Sequence, residues 1–243
     1  MSRTWWAPVR LLGGAAILAV LVSSLGAGPF LRGIRMIDGW SLAAATGIAF
    51  LTTVCCAWRW SLVARGLGVP VPLRTAIAAY YRSQFLNTTL PGGVLGDLHR
   101  GVAHGRDAGD VSRGLRAVAW ERSAGQVVQA ALALIALLAL PSPVRLAMPA
   151  VIGVALFVIG AALAGGVLLR ALPRRRRSRC ARALRAAGTD LRDGVLAQRA
   201  WPGIVTASVV VVAGHTATFL IAARDAGVTA SPARMLPLAL LIL

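Results

Sequence analysis

Long apolar runs, separated by stretches rich in arginine, organise this chain. The runs cover residues 11–30, 41–63, 117–140, 146–169 and 203–223 and carry few charges. A helix needs about 20 mostly apolar residues to cross the hydrocarbon of a bilayer. Five transmembrane helices are therefore expected. A sixth apolar stretch opens near Pro232 and reaches the last residue, Leu243. About 12 residues of helix fall short of the roughly 30 Å of hydrocarbon, so the expectation is a chain truncated within a span. The predicted fold class is all-α, a polytopic transmembrane helix bundle, with 1–243 as a single transmembrane domain.

The tryptophans mark the ends of these runs. Trp5 and Trp6 precede the first, Trp40 opens the second, Trp58 and Trp60 close it, Trp120 opens the third and Trp201 opens the fifth. Indole rings favour the headgroup level of a bilayer, where the ring is half buried and the N–H stays wet.

Composition agrees. The chain is 57% hydrophobic with a mean hydropathy of +0.72, against about 45–50% apolar residues for soluble domains. Its net charge is +18, and all 26 basic residues are arginine. The arginines fall mostly between apolar runs, which favours anionic lipid over nucleic acid as the partner. Cys55 and Cys56 are adjacent, so on a helix they point about 100° apart and read as small apolar fillers. Cys180 reads as a reduced cytosolic thiol.

Loop arginines orient the bundle. Residues 64–116 carry seven and residues 170–199 carry ten, including Arg174 to Arg177. The alternate loops hold Arg32 and Arg35, then Arg145, then Arg224 and Arg234. Basic loops stay cytoplasmic, so a multi-pass protein of the cytoplasmic (inner) membrane is expected, with the amino terminus and both rich segments in the cytoplasm. A second reading of the first run is a cleaved signal peptide, with Arg3 and Arg10 as its basic region; the remaining chain keeps the same orientation. The basic segment 170–200 is expected to be a helix lying on the inner leaflet or a solvated cytosolic helix.

Residues 75–106 do not fit a simple span. The segment begins apolar, carries Arg82, Gln84 and Asn87, and breaks at Pro91-Gly92-Gly93. Both flanks are assigned to the cytoplasm, so it cannot cross once. A re-entrant hairpin follows: a helix from Thr75, a turn at Pro91-Gly92-Gly93 and a return through Val94 to Ala103. An ordinary cytosolic loop with a Pro-Gly turn is the alternative. In the hairpin, the N–H groups of Gly92, Gly93 and Val94 would open the returning helix, where unpaired N–H and the dipole favour anions. Arg100 lies about two turns along that helix and Arg82 faces it from the other arm. This is a candidate cradle for a lipid phosphate.

The same residues resemble a known family. Asn87-Thr88-Thr89-Leu90-Pro91-Gly92-Gly93-Val94-Leu95-Gly96-Asp97-Leu98-His99-Arg100 is similar to the signature of the lysylphosphatidylglycerol synthase transmembrane family, or flippase-like membrane proteins. Asn87, Pro91, Gly92, Gly93, Gly96, Asp97 and Arg100 occupy the matching places, whereas Leu95 replaces a frequent glycine. Trp58-Arg59-Trp60, followed by Leu62, resembles an Arg-Trp pattern near the end of the second span, and Glu121-Arg122 with Gly125 resembles an acid-Arg pair opening the next. The resemblance implies a polytopic protein handling an anionic or aminoacylated phospholipid, with Arg82, Asn87, Pro91, Gly92, Gly93, Gly96, Asp97, Arg100, Glu121 and Arg122 at the headgroup site. No counterpart of the aminoacyl-transfer domain found in some relatives is recognisable, nor is the second glycine-rich motif expected later in such chains.

Glu121 is expected to pair with Arg82 or Arg100, and Arg59 to snorkel to the cytoplasmic interface. His99 and His104 are five apart, which splays them on a helix and disfavours zinc. His215 suits a hydrogen bond between helices or a proton relay. No nucleophile elbow, P-loop or dinucleotide fingerprint is present, so no catalytic residue, metal or cofactor is assigned. The leading expectation is binding and translocation of an anionic or aminoacylated phospholipid. The alternative is a membrane transferase acting on a lipid-linked aminoacyl or glycosyl donor, with Asp97 or Glu121 as base. A non-catalytic scaffold and a homo-oligomer remain open.

Overall fold

The computed structural model describes residues 38–90, 93–139 and 185–242, together with positions 19, 20, 22–24, 26 and 28. The expected span at 146–169, most of that at 11–30, residues 170–184 of the basic segment, and Pro91 and Gly92 lie outside the described residues. The described elements are all helical: α1 (Gly39–Gly66), α2 (Leu73–Thr89), α3 (Leu95–Asp107), α4 (Val111–Ala139), a π-helical turn (Leu191–Val195), α5 (Trp201–Asp225) and α6 (Pro232–Ile242). Among them, α1, α4 and α5 are long and apolar enough to cross a membrane. They are the three expected spans at 41–63, 117–140 and 203–223, the first and last lengthened at both ends and the middle one at its start. At 25 to 29 residues and about 1.5 Å per residue, each reaches about 38–44 Å.

The chain divides into two compact units. In the smaller (Met1–Thr46 with Ile221–Thr229), Asp38 caps α1. Its carboxylate accepts the Ser41 N–H at 2.6 Å, while the Ser41 hydroxyl donates to Asp225 at 3.0 Å. The Ser41 N–H, then its hydroxyl, hold Asp38 below the usual carboxylate range. Stability from this cap is present above the ordinary carboxylate pKa and fades as pH falls through the lowered one.

In the larger unit, α1 and α5 run antiparallel, with Gly203 against Trp58 and Leu62 near one end and Gly214 against Thr52 and Ile48 further along. The short α6 packs Leu236 and Leu240 against Leu132, Ala133 and Ala136 of α4 and Val212 of α5. The π-helical turn docks at the C-terminal end of α1, where Gly66 and Gly194 meet backbone to backbone. Just before that turn, Asp190 receives the Arg116 guanidinium at 2.6 Å and the Trp120 indole N–H at 3.4 Å. Leu191 and Leu196 are exposed, whereas Val195 is buried in the core.

The helices α2 and α3 pack against each other as the two arms of a hairpin, the first following α1 and the second leading into α4. The Ser61 hydroxyl donates to the Val71 carbonyl at 2.7 Å, and His104 Nε2 lies 2.8 Å from the Val69 carbonyl. The α3–α4 turn is tight because Gly109 takes φ +76°, a left-handed conformation open to glycine without a Cβ penalty. Asp110 then caps α4 by accepting the Arg113 N–H. Immediately beyond, Gly101 and Gly105 lie against Gly114, so these helices touch through backbone. A Cβ on Gly114 would sit 2.5 Å from the Gly101 carbonyl oxygen.

That contact predicts a contrast. Gly114→Ala should destabilise the protein by about 1–3 kcal/mol, as overpacking does. Gly47→Ala, on an exposed stretch of α1 with nothing within 4 Å, should be neutral or stabilising by about 0.5–1 kcal/mol. Thermal unfolding in detergent checks both.

Candidate functional site

The site grows from one carboxylate. Glu121 lies on α4 and is completely buried. An unpaired charge there would be costly, so burial is possible only with cations and donors supplied by other helices. From α1, Arg59 approaches Oε1 with Nε at 3.0 Å and Nη2 at 2.5 Å. From α2, the Tyr80 hydroxyl donates to the same oxygen at 2.9 Å. From α3, Arg100 reaches Oε2 with Nη2 at 3.2 Å. Arg59 also donates through Nη1 to Ser208 of α5 at 3.0 Å. Three helices thus converge on Glu121 of α4 directly, and α5 joins them through Arg59.

Arg100 has a second set of constraints. Its guanidinium lies between two aromatic rings, 4.0 Å from the Tyr80 centroid and 4.5 Å from that of Trp60. Trp60 in turn meets the His104 ring edge to face, with centroids 5.3 Å apart. Such cation–π stacking is stronger when the cation is desolvated, and Arg100 is 2% exposed.

Asp97 extends the network toward the hairpin tip. It bridges Arg100 at 3.1 Å and Arg122 at 2.6 Å, and accepts from Ser83 at 3.0 Å and Asn87 at 3.4 Å. The Asn87 side-chain Oδ1 accepts the Gly96 N–H at 2.7 Å, tying the first turn of α3 to the last turns of α2. Gly96 carries no Cβ because one would collide with the Ser83 carbonyl. The facing stripe of α2 is Ala76, Tyr80, Ser83 and Asn87, at the four-three-four spacing of one helix face. Asp97 lies one turn before Arg100 and Glu121 precedes Arg122, so the core of the site is three guanidinium groups against two carboxylates.

The expected residues are therefore distributed as follows. Asn87, Gly96, Asp97, Arg100, Glu121 and Arg122 come together in one network. Arg82 does not touch that network and makes no pair with Glu121; it is exposed and faces Arg100 across a cleft between the hairpin arms. Gly93 takes φ +64° with open space where a Cβ would point, consistent with a turn. Pro91 and Gly92 are not described.

Two expectations are corrected. Arg59 does not snorkel to the interface: it is 5% exposed, and Glu121 and Ser208 hold it inside the bundle. Gly125 makes room for it, since a Cβ there would come 2.7 Å from Nη1. Trp60 is not an interfacial anchor but is 1% exposed and stacked on Arg100, whereas Trp40 and Trp201 remain exposed at helix ends. Tyr80, Ser83 and Ser208 are further participants that the sequence reading missed. Their signal was periodicity within α2 for the first two; Ser208 had none, because its partner comes from a residue 149 positions away.

An all-helical membrane protein with a buried arginine–carboxylate centre beneath a glycine-turned hairpin is the class that fold and site define. The chain belongs to the family described as the lysylphosphatidylglycerol synthase TM region, whose sequence model matches residues 6–243. Neither a curated protein nor a solved structure matches it.

The buried charges predict a stability pattern. Glu121→Gln leaves Arg59 and Arg100 without their shared counter-charge and should cost about 3–5 kcal/mol. Combining it with Arg59→Met should recover part of that loss, because one orphaned cation is removed with the anion. The ordering of thermal midpoints of wild type, single and double variants in detergent checks this.

Proposed function

We propose that this membrane protein binds the headgroup of an anionic or aminoacylated phospholipid at the α2–α3 hairpin and moves that lipid across the cytoplasmic membrane. The observation that carries the reading is the charge balance at the site. Three arginines and two carboxylates meet where four helices converge, leaving one positive charge uncompensated among the described residues. Ionisable groups inside a membrane bundle mark substrate paths or structural pairs. A phosphate is the lipid group that an arginine excess selects.

The surface of the hairpin supports immersion of its tip in lipid. Phe85, Leu90, Val94, Leu95 and Leu98 cluster around the turn and are exposed. Broken backbone at membrane depth is tolerated where it is buried in protein or lines a polar cavity, and the Asn87–Gly96 hydrogen bond satisfies part of it. In this reading the amino terminus and the arginine-rich segments face the cytoplasm, as the distribution of loop arginines favours.

Two measurements test the proposal. Single cysteines at Thr75 and Arg106 should react with an impermeant maleimide from the same side of sealed vesicles; reaction from opposite sides would remove the re-entrant hairpin. In reconstituted vesicles, the full chain should speed leaflet exchange of fluorescent phosphatidylglycerol, and Arg122→Ala should slow it at least tenfold. Exchange equal to that of protein-free vesicles would end the transport reading.

A further inference from the structure

The two arms of the hairpin leave a cleft of about 170 Å³. Arg82 of α2, His99, Arg100, His104 and Asp107 of α3, and Trp60 of α1 line it. Two of these side chains carry buried donors with no hydrogen-bond partner among the described residues: Nε and Nη1 of Arg100, and Nε1 of Trp60. Arg100 and Trp60 are 2% and 1% exposed, so these atoms are enclosed rather than turned to open solvent.

Neither residue is free to turn away. Nη2 of Arg100 is committed to Asp97 and Glu121, and its plane is held between the Tyr80 and Trp60 rings. Trp60 is pinned by that stack and by His104. Native proteins seldom leave buried donors unsatisfied, and an unpaired one in a fixed position marks a place for a missing partner. Guanidinium and indole groups donate and never accept. The missing partner is therefore an acceptor. With Arg82 across the cleft and Asp107 as the one carboxylate among its described lining residues, the cleft selects a negatively charged acceptor.

We propose that this cleft, and not the glycine turn, is the seat of a phosphate-type oxyanion. Its oxygens take the Arg100 donors and the Trp60 indole N–H, and Arg82 closes on it from the opposite arm. The proposal deepens the lipid-handling reading and rests on it only for the source of the phosphate: a lipid headgroup and a soluble phosphate ester share this chemistry.

The test uses the full chain in lipid nanodiscs. One arm titrates inorganic phosphate and glycerol phosphate by calorimetry. The other compares retention of phosphatidylglycerol with that of diacylglycerol, which lacks the phosphate, by native mass spectrometry. Trp60→Phe keeps the aromatic stack and deletes only the N–H; Arg82→Ala changes an exposed side chain. Each is expected to weaken phosphate-dependent binding about tenfold or more, the scale of a lost hydrogen bond to a charged group. Binding of the soluble phosphates alone, sensitive to both variants, supports the cleft and removes the phospholipid as its source. Phosphatidylglycerol retained equally by wild type and both variants overturns the cleft while leaving the lipid reading intact. Absence of phosphate-dependent binding in both arms overturns the cleft outright.

Discussion

A carboxylate with no access to water organises this protein. Glu121 remains tolerable inside the bundle only because Arg59, Arg100 and Tyr80 arrive from three other helices. Each of those groups is long enough to reach and offers a donor, and each would itself be a liability without the acid. The result is mutual dependence: removing one charge strands another in a medium that cannot solvate it. Apolar side chains contribute little to directing helix association in lipid, whose tails are equally apolar. Directional contacts such as these, together with close packing, therefore carry the specificity that a hydrophobic core supplies in a soluble fold.

Small residues make that convergence geometrically possible. Gly125 leaves space for the Arg59 guanidinium, Gly96 lets α3 touch the backbone of α2, and Gly101, Gly105 and Gly114 bring α3 against α4. Bulky residues at these places would hold the helices apart, and the arginines could no longer reach the carboxylate. The hairpin is thus positioned by the same contacts that create the charged centre. Its arms also enclose Arg100, whose rigid placement against two rings leaves two of its nitrogens without a partner among the described residues. Stability and the candidate binding chemistry share the same side chains.

Much of this was legible along the chain. The long helices follow from apolar runs of sufficient length, and the separation of α2 from α3 from the helix-breaking Pro-Gly-Gly between them. Glu121 and Arg122 were legible as charges at the mouth of an apolar run, which are expensive and therefore meaningful, and Asp97 and Arg100 through the motif they share with the family. Arg59 was equally inside an apolar run, but its place near the end of that run also fitted a side chain reaching back to the headgroups. Trp60 misled for the same reason: a tryptophan near a helix end satisfies an interfacial pattern whether its ring faces lipid or protein.

What the sequence by itself determined is the class of structure: helices long enough to span a bilayer, a break that forces the chain to turn back, and a local excess of arginine. Those properties depend on neighbouring residues and on one-dimensional periodicity. Only the tertiary structure decided the pairing. Arg59 and Glu121 are 62 positions apart, and Arg59 and Ser208 are 149 apart. Which guanidinium meets which carboxylate, and which donors are left without one, is set by the rotation and depth at which helices pack, and composition and local spacing do not encode these.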